Sequence, residues 1–64
     1  MNELDGIMAF EAGELSQDSI LELFSMLIKN GHAWTLQGYY GRTARSLIEG
    51  GWLTKDGELT GKQL

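Results

Sequence analysis

The chain has 64 residues, with nine acidic against five basic side chains, nine glycines, one histidine, and neither proline nor cysteine. A chain this short is one domain that buries only roughly 60% of the surface its unfolded form exposes, which excludes a large enclosed active-site cleft. Without cysteine there is no disulfide and no thiolate metal site, so stability has to come from a small apolar core or from a partner.

A first helix is expected over about residues 3–12. Asn2 is placed to cap it, Glu3 and Asp5 sit where carboxylates favour the positive end of the helix dipole, and Leu4, Ile7, Met8 and Ala12 recur at helical spacing. Gly6 weakens it by about 1 kcal/mol relative to Ala, and Gly13 is a stop signal. Glu11 falls among Leu4, Ile7 and Met8 on the helical wheel, a poor place for a free charge. Either the helix frays before it, the preferred reading, or Glu11 pairs with Arg42 or Arg45 across the fold.

The second helix, about 18–30, is the clearest element. Ser16 or Asp18 starts it. Ile20, Leu21, Leu23, Phe24, Leu27 and Ile28 form a broad apolar face, with Asp18, Glu22, Ser25 and Lys29 on the opposite side. Asn30-Gly31 supplies a left-handed stop. A short helix follows at about 33–37, and a further helix at about 39–49 carries Tyr40, Ala44, Leu47 and Ile48 on one face before Gly50-Gly51 ends it. The tail changes period: Trp52-Leu53-Thr54 and Leu59-Thr60 flank Asp56-Gly57, which predicts a hairpin over about 52–60 with a type I′ turn. Trp34 and Trp52 are expected in the core, because a small domain has little else to bury; an exposed one would mark an interface anchor.

The resulting fold class is mainly α: a compact three- to four-helix, helix-turn-helix-like domain, with a C-terminal β-hairpin resembling a wing. In that arrangement the last long helix presents Tyr39, Arg42, Thr43 and Ser46 as one polar strip with Arg45 beside it. These side chains suit phosphates and guanine edges. Net charge −4 with five bases is thin for a DNA binder. Split along the chain, however, the charge is −6 over residues 1–28 and +2 over 29–64. That asymmetry suits a solvated acidic face, a basic partner for the first half, or a homo-oligomer pairing the two halves.

Enzymatic chemistry finds little support. One histidine and no cysteine leave no Cys–His pair, and His32, just past a helix stop, reads as a helix-end residue bonding carbonyls. No Zn or Ca²⁺ ligand spacing occurs, and no cofactor motif. Gly38-Tyr39-Tyr40-Gly41-Arg42-Thr43 fails the phosphate-loop pattern, which needs glycine where Leu36 stands and lysine where Arg42 stands. Its Gly-x-x-Gly spacing matches the nucleic-acid clamp of KH domains only in isolation, so Gly41 reads instead as a close approach of two backbones. No apolar run reaches the ~18 residues of a membrane span. The acidic N-terminal stretch lacks a signal-peptide n-region, so a cytoplasmic protein is expected.

The string Ala33-Trp34-x-Leu36-Gln37-Gly38-x-Tyr40-Gly41-Arg42-Thr43-Ala44 is specific. So is its setting, with Leu23-Phe24, Leu27-Ile28 and Gly31 before it, Leu47-Ile48-Glu49 after it, and Phe10-Glu11-x-Gly13-Glu14-Leu15 near the start. Together they resemble a family of small, uncharacterised proteins encoded by tailed bacteriophages. The resemblance implies a phage accessory protein acting in the host cytoplasm and brings no activity or site residues with it. The expected function is a non-enzymatic interaction module that binds a host or phage protein through Tyr39, Arg42, Thr43, Arg45 and Ser46, with Trp34 as anchor. The alternative is a small DNA-binding regulator of the repressor or excisionase kind.

Overall fold

The computed structural model describes residues 2–62. Four helices follow one another: α1 (Glu3–Glu11), α2 (Gln17–Lys29), α3 (His32–Thr35) and α4 (Gly38–Glu49). Capping sets the first two starts. The Asn2 side chain accepts a hydrogen bond from the Asp5 amide at 2.8 Å, and the Ser16 hydroxyl accepts one from the Ser19 amide at 3.2 Å. Gly31, at φ +82°, turns the chain from α2 into α3 in a conformation that a side chain would resist.

The core forms around α2, which packs against the other three helices. Leu23, Phe24 and Leu27 of α2 are fully buried, together with Ala33 of α3 and Ala44 of α4, while Leu53 closes the bottom of the cluster. Phe10 of α1 meets the Phe24 ring edge-on at 5.3 Å between centroids, and the Tyr40 ring stacks on Phe24 at 6.1 Å. Aromatic pairs at these separations add to the burial of their area. One seam of rings thus joins α1, α2 and α4.

The tail corrects the expected fold. Among the described residues there are no strands, so the hairpin over 52–60 and its wing are absent, and the protein is a compact four-helix fold. Among the described residues one antiparallel bridge forms, between Leu53 and Leu59. Two features of the turn explain this. A type I′ turn needs positive φ at both central residues, but Gly57 has φ +90° while its non-glycine neighbours Asp56 and Glu58 do not have positive φ. The Gly57 amide donates to the Thr54 carbonyl and the Thr54 amide to the Glu58 carbonyl, both at 2.9 Å, which makes a three-residue loop of Lys55, Asp56 and Gly57. The loop also does not project. Gly57 is buried against α2, and its carbonyl accepts a hydrogen bond of 2.5 Å from the Ser25 hydroxyl. A Cβ there would stand 2.8 Å from the Ser25 carbonyl and 2.9 Å from Lys29 Cγ.

Ser25 is therefore buried, not part of the solvated polar side of α2. The tail covers that side only at Ser25, leaving Asp18 and Glu22 exposed, and the Lys29–Glu58 ion pair at 3.4 Å marks its edge. Burial of the hydroxyl is tolerated because its hydrogen bond is made inside the fold. Beyond the bridge the chain turns back toward α4, where the Lys62 ammonium donates to the Gly50 carbonyl at the helix end and lies 4.6 Å from the centre of the Trp52 ring.

Two local expectations about charged groups are also corrected. α1 does not fray before Glu11, nor does Glu11 pair with an arginine: its carboxylate accepts the Tyr40 hydroxyl at 2.6 Å. Tyr40 is otherwise buried, so its hydroxyl needs a partner, and α1 passes close enough to supply one. His32 does not cap carbonyls. Its ring Nδ1 lies 2.7 Å from a Glu3 carboxylate oxygen, and the Asn30 side-chain Nδ2 donates to the same carboxylate at 2.5 Å. These bonds tie the start of α1 to the turn between α2 and α3, and they hold the Glu3 carboxyl below its ordinary value of 4.5.

Candidate interaction surface

The four-residue length of α3 decides what its residues can bury. Ala33 points into the core, where Phe24, Leu27 and Tyr40 already fill the space, and Trp34 is turned about 100° further round the helix. Trp34 is consequently 50% exposed, which corrects its expected place in the core. Its ring edge lies 3.8 Å from where a Cβ on Gly41 would stand. That distance, and 3.5 Å to the Ala33 carbonyl, is ordinary contact, so Gly41 does not mark an enforced close approach of backbones. The indole thus touches α4 at Gly41 by one edge and leaves the rest of its surface to solvent.

Around this indole the fold gathers part of the predicted site. Trp34, Gly38, Gly41, Arg42 and Arg45 line a shallow hollow of about 310 Å³. The Arg42 guanidinium folds back over Gly38, 3.1 Å from the position a Cβ would take. Both arginines are exposed, and among the described residues no carboxylate lies within ion-pair distance of either. Lys29, by contrast, is paired with Glu58, and Lys62 is engaged at the end of α4. Arg42 and Arg45 are thus available charges beside an available indole.

The rest of the predicted strip lies elsewhere. Tyr39 is exposed, but its ring leans on Phe10 at 5.9 Å and stands edge-on to Tyr40 at 5.9 Å, away from Trp34. The Thr43 hydroxyl donates to the Tyr39 carbonyl at 2.9 Å, which commits its hydrogen within the helix. Ser46 is exposed one turn beyond Arg42. Tyr39, Thr43 and Ser46 form a second strip on α4, roughly a quarter-turn from the hollow. The six predicted residues therefore divide into two neighbouring surfaces.

Sequence reasoning missed a second concave region. Two adjoining hollows of about 270 and 200 Å³ share Leu21 and Trp52, with Ile20 and Leu47 at one end and Leu59 at the other. Trp52 is only partly buried there, and Leu59 is 53% exposed. The one signal available was an α2 apolar face broader than a single packing partner requires. Among the described residues no group of three or more His, Asp or Glu side chains is placed to hold a metal ion, and no helix is long and apolar enough to cross a membrane.

Fold and surface together describe a small four-helix domain with an aromatic and basic hollow on one side and an apolar groove on another. The chain belongs to a family described as a domain of unknown function, DUF7417, whose match spans residues 1–64. No curated protein and no solved structure matches it.

Proposed function

We propose that the chain is a non-enzymatic interaction module, a phage-encoded accessory protein that binds and modulates a host or phage protein in the host cytoplasm. The observation that carries this reading is the half-exposed Trp34, its ring edge against Gly41, beside Arg42 and Arg45, neither of which has an acidic partner among the described residues. Tryptophan and arginine are the side chains that most often anchor protein interfaces, because each brings a large contact area and directed donors. A monomer gains nothing in stability by leaving an indole half in water. The phage origin is supported only by the sequence resemblance carried by the Ala33-to-Ala44 string and its setting.

The test is affinity capture from host lysate with the full chain, beside an Arg42→Ala/Arg45→Ala double variant and Trp34→Ala, each shown by circular dichroism to keep its helices. A protein captured by the unmodified chain and lost with both variants is the expected result. Capture of nothing, or of the same protein by every variant, would overturn the reading. A mobility shift of phage DNA that weakens steeply with salt would instead assign the α4 surface to nucleic acid.

A further inference from the structure

We infer that the groove beside Trp52 receives the Trp34 face of a second copy of this chain, so that the protein assembles head to tail. The inference rests on the reading of the Trp34 face as an interaction surface and names its partner.

The groove and the hollow match in chemistry. The groove floor is apolar, formed by Ile20, Leu21, Leu47 and Trp52 with the exposed Leu59 at its rim. One wall carries Asp18 and Glu22, one helical turn apart on α2, and both are exposed with no ion-pair partner among the described residues. The hollow offers an exposed indole flanked by Arg42 and Arg45, also one turn apart. Side chains three or four apart on a helix have Cβ atoms about 5–6 Å from one another, so the pair of acids and the pair of arginines start from a similar spacing. An indole seated in the groove would bring two arginines onto two carboxylates. Lys62 also lines the groove and offsets part of that charge, but its ammonium is turned to the Gly50 carbonyl and the Trp52 ring and makes no ion pair with Asp18 or Glu22, so the wall keeps a net negative charge.

The placement of the two surfaces decides the kind of assembly. Leu47 of the groove follows Arg45 of the hollow by two residues, which is about 200° around α4. The knob and its socket therefore face opposite ways on one helix and cannot meet within one copy. Contact between copies uses two different patches, which makes it heterologous. Such a contact gives a ring if the rotation closes and an open chain of copies if it does not.

Sedimentation velocity of the full chain over a range of concentrations tests this. Species larger than a monomer are expected at high concentration, and fewer of them as ionic strength rises. Trp34→Ala, which loses the knob, and Asp18→Lys/Glu22→Lys, which spoils the socket, should each weaken assembly by at least about tenfold. An equimolar mixture of the two variants should form a one-to-one dimer and nothing larger, because each still carries the half the other lacks. Arg42→Glu/Arg45→Glu should abolish assembly through exposed residues alone, and combining it with Asp18→Lys/Glu22→Lys on one chain should restore it. A monomer at every concentration, assembly unchanged by these variants, or a mixture that fails to pair would each overturn the inference. A chain that stays monomeric yet captures another protein through Trp34 sinks this inference and leaves the interaction module standing.

Discussion

The two ends of the chain reach the same central helix by opposite means. α1 packs on the core through Ile7 and Phe10, the latter edge-on to Phe24, and is held at each tip by polar bonds: Glu3 to Asn30 and His32, Glu11 to Tyr40. It leaves Leu4 and Met8 largely in water, 67% and 62% exposed. The C-terminal segment contributes one fully committed side chain, Leu53, and otherwise docks by backbone, with Gly57 pressed into a gap beside Ser25 and Lys29. The difference teaches that regular secondary structure is a poor guide to how firmly a segment is held. The helix keeps two large apolar side chains in water and is tied at its tips by polar bonds, while the irregular tail fills a site in the core.

The comparison breaks first if the tail is not structural. Leu53→Ala should cost about 2–5 kcal/mol, measured by chemical denaturation, because it empties a fully enclosed site. A loss well below that range would show that the segment is an ornament on the helices. Gly57→Ala comes next. It combines a left-handed backbone with a Cβ pressed on the Ser25 carbonyl, and about 1–3 kcal/mol of destabilisation is expected. A neutral result would mean that the turn moves off α2 at little cost.

On the α1 side, Tyr40→Phe should cost about 1–2 kcal/mol, since the hydroxyl bonds a charged but exposed carboxylate. It should also change the alkaline limit. Burial, and then the Glu11 carboxylate, push the Tyr40 phenol up to about 12 from 10.0. The unfolded chain therefore ionises first, and stability present below pH 10 is lost as pH rises toward about 12. Tyr40→Phe should lack that part of the loss in denaturation curves taken across the same range.

The smallest effect belongs to Glu3→Gln. The Glu3 carboxyl is held below 4.5 by the His32 and Asn30 hydrogen bonds, so its contribution is present above that value and disappears as pH falls through the lowered one. The variant should melt slightly lower than the unmodified chain at neutral pH, with the gap closing in acid and shrinking in salt. A gap that persists in acid would place the role of Glu3 in packing instead of charge.

Much of the helical framework was legible because helices announce themselves locally. The spacing of Ile20, Leu23, Phe24 and Leu27, the caps at Asn2 and Ser16, and the left-handed Gly31 all act within a few residues of the chain. The tail was misread for a related reason. Asp56-Gly57 is a turn signal, but the signal says only that the chain reverses; the fit of Gly57 against Ser25, 32 residues earlier, left a single bridge where a ladder was expected. The candidate site was legible in part. Arg42 and Arg45 follow from helical spacing, and so does their offset from Tyr39 and Thr43 around α4; that Trp34 joins the arginines while Tyr39 leans on Phe10 depends on tertiary packing.

By itself the sequence determined where helices start and stop, which faces of α2 and α4 are apolar, and that no thiol chemistry is available, since each of these depends on residue identity and short-range periodicity. The tertiary structure alone decided that Ser25 is buried, that Glu11 meets Tyr40, that Glu3 meets His32, and that Trp34 stays half in water. The physical reason is the same in each case. Periodicity fixes which residues share a face, but what covers that face depends on which distant segment reaches it first and how much room the core has left.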